Sequence, residues 1–165
     1  MKKYTAENLK GFEKNEEDWI ICPAGDYTEI KSFPERCRFG AGCSFGEGCS
    51  FGADCSFGEW CRFGAGCRFG EGCSFGERCG FEGGHIAAPG YPLLIFSGFG
   101  SVNRATYAFN CTDGVVIRCG CFSGSLEEFR EKVRERHGNT PLAIEYLAIA
   151  DLIERRFSRE GEVRR

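Results

Sequence analysis

Long apolar runs are missing from this chain. No stretch approaches the roughly 18–20 residues that span a bilayer, so direct insertion into a membrane is not expected. Histidine is scarce, with two in 165 residues. Charge of one sign is scarce too. The net charge of −3 is too small to draw nucleic acid or an anionic membrane by long-range attraction, and too weak for a mimic of DNA. No apolar segment follows the opening Met-Lys-Lys-Tyr-Thr-Ala-Glu-Asn-Leu-Lys, so secretion is not expected. Twelve Cys would otherwise suggest a secreted disulfide scaffold. With export set aside, they point to a cytoplasmic protein whose reduced thiols serve as small buried hydrophobes.

What the chain has in excess is a repeat. Nine Phe stand six residues apart, from Phe33 to Phe81, and a Cys follows four residues after each of the first eight, from Cys37 to Cys79. The unit is Phe-Gly-x-x-Cys-(Ser/Arg). A six-residue period fits neither an amphipathic helix nor a hairpin meander. Gly40, Gly46, Gly52, Gly58, Gly64, Gly70 and Gly76 hold the second place, which would ruin a helix but suits a backbone that turns a corner in every repeat. The same Gly residues would suit a phosphate loop, but the regular period explains them better and no Gly-Lys-Ser/Thr follows. Ile21 and Tyr27 keep the spacing upstream, as a degenerate end of a stacked array would.

Phe39-Gly40-Ala41-Gly42-Cys43-Ser44, with the hexads at Phe45 and Phe69, resembles the bacterial hexapeptide repeat. That resemblance implies a short left-handed parallel β-helix over 21–88 with three hexads per turn. Phe33, Phe51 and Phe69 then stack on one face, Phe39, Phe57 and Phe75 on the second, and Phe45, Phe63 and Phe81 on the third. The family's bulky place is usually Ile, Leu or Val, so an all-Phe core needs a small neighbour, for which Cys is suited. The fold also brings acyltransferases to mind. Their chemistry wants a His base on a loop, and His85 is the one His near the array. A carbonic-anhydrase-like trimer needs three His and has too few here.

Residues 1–20 read as an arm or short helix capping one end. Residues 82–92 read as a linker or coil exit with Gly and Pro punctuation. An α+β subdomain over 89–160 follows in the order β-β-β-α-α, expected to pack on the array. Its strands are Leu93 to Phe96, Ala105 to Cys111 and Val115 to Cys121. Phe99 to Arg104 form a turn, and Asp113-Gly114 a hairpin. Ser125 with Glu128 makes a capping box, Thr140-Pro141 opens the last helix, and Glu160 to Arg165 fray. Ile144 and Leu147 lie off the main apolar stripe and suit a homo-oligomer contact. The stretch Arg118 to Phe129, and the hexads preceded by Trp19 to Tyr27, look similar to uncharacterised proteins of gut phages and mobile elements.

The inward places are structural, so recognition is sought outside. Trp60 stands where Gly is common and is the leading candidate for a binding hot spot. On the second face Glu59 and Glu77 should stack beside it with Arg62 nearby, and Arg68, Glu71 and Glu47 are further candidates in the outward columns. No catalytic residue and no cofactor is assigned. Cys111, Cys119, Cys121 and His137 form a weak metal alternative with no standard zinc spacing. The expected function is a non-enzymatic inhibitor of a host macromolecule, such as a bacterial defence or CRISPR nuclease component, with a protein partner. The alternatives are an acyl-CoA-dependent transferase and a sponge for a small nucleotide signal.

Overall fold

A computed structural model describes residues 1–101 and 104–163, with side chains up to 159. Val102 and Asn103 of the expected turn, and Arg164 and Arg165 of the expected tail, lie outside the described residues. The chain divides into two compact units, Met1–Tyr91 and Pro92–Arg165. The protein is mainly β: a solenoid of about three turns of stacked coils, followed by a part that ends in helices.

The solenoid strands are β1 (Ile20–Cys22), β2 (Ser32–Phe33), β3 (Cys37–Phe39), β4 (Ser44–Phe45), β5 (Ser50–Phe51), β6 (Ser56–Phe57), β7 (Arg62–Phe63), β8 (Arg68–Phe69), β9 (Ser74–Phe75), β10 (Gly80–Phe81) and β11 (His85–Ile86). They are short because a corner follows each Phe. Their parallel pairing carries Phe33 to Phe51 and Phe51 to Phe69, Phe39 to Phe57 and Phe57 to Phe75, and Phe45 to Phe63. Three ribbons result, in the orders β1-β3-β6-β9, β2-β5-β8 and β11-β10-β7-β4.

The expected ring columns are present. Between coils the rings stack, as in Phe33–Phe51 at 4.9 Å and Phe57–Phe75 at 5.2 Å. Within a coil they meet edge to face, as in Phe39–Phe45 at 4.9 Å and 86°. Edge-to-face contact sets the positive rim of one ring against the negative face of the next. That is why three Phe fill a space that branched aliphatic residues would otherwise occupy. Tyr27 and Tyr4 extend the third column, with Tyr27 stacked on Phe45 at 5.6 Å and Tyr4 on Tyr27 at 5.0 Å. The arm, with α1 (Ala6–Lys10) and its Thr5–Asn8 capping box, thus brings an aromatic lid.

One expectation changes here, and one choice between two readings is resolved. Ile21 pairs with Arg38 and is exposed, whereas Cys22 pairs with Phe39 and is buried. The Pro23-Ala24-Gly25 corner makes this first coil one residue shorter, so the six-residue count slips by one. Of the linker and the coil exit that residues 82–92 allowed, 82–86 form the coil exit. Glu82, Gly83 and Gly84 turn with positive φ, and β11 folds back antiparallel on β10. A reversed strand ends parallel growth and covers that ribbon's edge.

The thiols line the corners in three columns, each buried. They donate to carbonyls of the preceding coil, as from Cys61 Sγ to Gly40 O at 3.4 Å and Cys79 Sγ to Gly58 O at 3.4 Å. Hydrogen bonding to Cys22, with burial behind it, pushes the Cys37 thiol up to about 12. Contact with Cys37 and burial do the same for Cys55. Hydrogen bonding to Cys43 and Cys79, then burial, raises Cys61. Cys37, Cys55 and Cys61 are therefore protonated packing groups at neutral pH, whereas hydrogen bonding with Cys67 draws Cys49 down to about 7, and hydrogen bonding with Cys61 lowers Cys43 and Cys79.

The second unit begins with a four-stranded antiparallel sheet: β12 (Leu93–Phe96), β13 (Thr106–Cys111), β14 (Gly114–Cys119) and β15 (Phe122–Ser125), in that order. The expected third strand ends at Cys119 rather than Cys121, and a fourth, unexpected strand follows a turn at Gly120, whose φ is 59°. Ala108 and Ile117 pack with α2 (Leu126–His137) and α3 (Pro141–Val163) through Phe129, Val133, Tyr146, Ile149 and Ile153. The Ser125–Glu128 capping box forms at both contacts, 3.1 Å each. Helix α3 runs on to Val163, beyond the frayed tail expected from Glu160. Ile144 is 66% exposed, but Leu147 packs partly on the core. No helix among the described residues is long and apolar enough to cross a membrane.

Candidate functional site

Each corner places its fourth residue in the left-handed region. Gly42, Gly48, Gly66 and Gly72 adopt it with φ near 70°, and so do Arg36, Asp54, Trp60 and Arg78. Such a φ strains a non-Gly residue by about 1 kcal/mol or more. Gly would be the cheaper choice at all eight corners. Trp60 is the largest exception, with φ 65° and 45% of its surface exposed.

Trp60 does not stand alone. Its backbone N–H donates to Glu77 O at 3.0 Å, which fixes it one coil before Arg78. The Arg78 guanidinium lies 5.0 Å from the indole centroid and that of Arg62 5.8 Å away. Arg62 Nη1 in turn donates to Arg78 O at 2.8 Å. Glu59 and Glu77 occupy the same corner column. Four of the seven expected surface residues, Trp60, Glu59, Arg62 and Glu77, thus meet on one edge. Arg78 completes the cluster. It was legible in principle, since it follows Trp60 by one full coil.

The other three lie elsewhere on the solenoid. Glu71 sits at the corner of Asp54, whose N–H donates to Glu71 O at 2.7 Å. Glu47 is at the third corner, where Lys31 Nζ donates to its carbonyl at 2.8 Å. Arg68 is on β8, beside Ser50 of β5. A second Arg–Trp pair, Arg38 over Trp19 at 4.7 Å, has a half-buried indole. His85 pairs with Phe81 in the closing hairpin.

The metal alternative does not assemble. Cys111 pairs with Gly114, whereas Cys119 pairs with Thr106 at the far end of the same hairpin. Five residue steps separate the two levels, or about 17 Å along a strand. Cys121 is exposed in the turn after β14. His137 instead stacks on Tyr146 at 5.8 Å. Among the described residues no group of three or more His, Cys, Asp or Glu could hold a metal ion.

An exposed indole with two guanidiniums offers an apolar anchor flanked by charge, a composition common in binding hot spots. The carboxylates of Glu59 and Glu77 beside it oppose a phosphate backbone. No protein-family model, curated protein or solved structure matches this chain.

Proposed function

We propose that this chain is a non-enzymatic interaction protein of the hexapeptide-repeat, left-handed β-helix type. The eighteen-residue register, for example Phe33 to Phe51, supports three hexads per turn. In this reading it is encoded by a phage or mobile element and inhibits a host macromolecule, such as a component of a defence or CRISPR nuclease, in the cytoplasm. The partner is a protein with an apolar socket for Trp60 and carboxylates for Arg62 and Arg78. One observation carries the reading: a large exposed aromatic residue is kept at a corner where its backbone is strained. The contacts with Arg62 and Arg78 offset that strain, yet the side chain stays 45% exposed, and an aromatic residue held at such a corner without being buried points to use.

The test is recovery of a host protein from lysate by the wild-type chain and by Trp60→Gly. A host protein captured by the first and lost by the second supports docking through this edge. Equal recovery moves the contact elsewhere. No saturable host-protein partner at all overturns the reading.

A further inference from the structure

The second unit contains a cleft of about 340 Å³. It lies wholly within that unit and is separate from the Trp60 edge. Its size is at the lower end for small-molecule sites, which begin at about 300 Å³. Helix α2 contributes one wall through Phe129, Lys132, Val133, Arg136 and His137. These positions recur at three and four residues, so one helix face carries both the apolar floor and the cations. The sheet supplies Cys119 and Phe122, α3 supplies Tyr146, and Ser101 and Arg104 complete the lining.

The lining has two characters. Phe122 meets Phe129 at 5.6 Å, Phe129 meets Tyr146 edge to face at 5.9 Å, and His137 stacks on Tyr146 at 5.8 Å. Tyr146 is held in place, because its hydroxyl accepts from Ser101 N at 2.8 Å. The floor is therefore a fixed aromatic cluster. The same lining carries Arg104, Lys132 and Arg136, and no Asp or Glu is among its described residues. Nearby acids do little to neutralise it. Glu145 already accepts from Gly100 N at 2.9 Å, and Glu135 reaches Lys132 only at 4.0 Å. Arg104 and Arg136 have no carboxylate partner among the described residues. Three cations left together in a chain of net charge −3 form a local reversal of sign.

We infer that this cleft binds a small anion that carries a flat ring, of the nucleoside monophosphate class. The ring lies against the Phe122–Phe129–Tyr146–His137 cluster, and the phosphate is held by Arg104, Lys132 and Arg136. Guanidiniums match phosphate oxygens in two-point geometry. Stacking on aromatic side chains tolerates any base, so the cleft selects the class before the base.

Titration calorimetry on the full chain tests this with AMP, GMP, CMP and UMP singly, and with adenosine and inorganic phosphate as half-ligands. The expected result is saturable binding of at least one nucleotide, at least about tenfold tighter than either half. Lys132→Glu with Arg136→Glu should weaken it by at least about thirtyfold, and Arg136→Lys far less. Both positions are exposed, and an unchanged circular dichroism spectrum will confirm that these variants fold. Failure of all four nucleotides to bind at about 1 mM overturns the inference, as does binding that survives the charge reversal. Phosphate alone binding as tightly as the nucleotides removes the aromatic half. Loss of docking in Trp60→Gly would leave this result untouched, since the two sites share no residue.

Discussion

The two units bury their cores by opposite means. The solenoid repeats one solution: Phe rings in columns, thiols at corners and Gly where coils meet. The second unit uses each core residue once, and Ala108, Ile117, Phe129, Tyr146 and Ile153 have no equivalents elsewhere. In the solenoid the inward places are fixed by neighbours above and below, so information is left only on the outside. In the second unit inward and outward roles mix along one helix, as α2 does with Phe129, Lys132, Val133 and Arg136. A repeat therefore separates scaffold from recognition, and a unique core does not.

The sharpest way to break that contrast is to remove a ring. Phe57 is stacked on both sides, at 5.2 Å from Phe39 and 5.2 Å from Phe75. Phe57→Ala should cost about 4 kcal/mol. Phe75 is half-buried and near the end of its column, so Phe75→Ala should cost about half of that. Denaturant melts measure both. Equal losses would show that the columns are not governed by nearest neighbours, and the solenoid would then resemble the unique core.

Glycine gives the next effect. A Cβ on Gly58 would lie 2.7 Å from Ala41 N and 2.8 Å from Gly40 C. Backbone cannot swing aside as a side chain can, so Gly58→Ala should cost about 3 kcal/mol. Gly48 has φ 68° but open space around its missing Cβ, so Gly48→Ala should cost only about 1 kcal/mol. Two Gly of the same hexad frame thus differ by what each prevents: a collision between coils, or a strained φ. If both substitutions cost the same, the second-place Gly is not the contact between coils.

These positions also show what could be read in advance. The period located the coils, the ring columns and the corners, because eighteen-residue stacking needs no tertiary information beyond itself. It misplaced Ile21, since one short corner shifts the count. It missed β15, because Cys121 continues an apolar alternation that Gly120 interrupts with its positive φ. It grouped Cys111 with Cys119, which a hairpin register keeps at opposite ends. Arg78 could have been found by counting one coil on from Trp60, but the cleft cations were invisible for a different reason. Their meaning depends on which face they share, and in the second unit no repeat announces that.

The thiols allow the two cores to be told apart by pH. Cys37 and Cys55 are held up to about 12 against an ordinary value of 9.0. The folded state keeps those protons while the unfolded chain releases them. Stability from these groups is therefore complete below about pH 9 and is lost as pH rises towards 12. Alkaline titration followed by circular dichroism should show this loss, and Cys55→Ala should make it less steep. An unchanged slope would mean that the ladder thiols ionise in place. Native alkylation gives a companion reading by mass spectrometry: exposed Cys121 should react first and the corner thiols only on unfolding.

The smallest expected change in stability is the most informative. Trp60→Gly removes a strained φ, which favours the variant by about 1 kcal/mol. It also removes the indole from Arg62 and Arg78, which costs about 0.5–1 kcal/mol for each exposed contact, and it adds chain entropy to the unfolded state. The losses exceed the gain by about 1 kcal/mol, so the melting midpoint should fall only slightly, far less than for Phe57→Ala. Docking should instead weaken by about 2 kcal/mol, near thirtyfold in Kd. A residue kept for packing would show the reverse, with stability lost and binding kept. If Trp60→Gly destabilises the solenoid as Phe57→Ala does, the corner is part of the core, and the division between scaffold and recognition fails at the residue chosen to represent it.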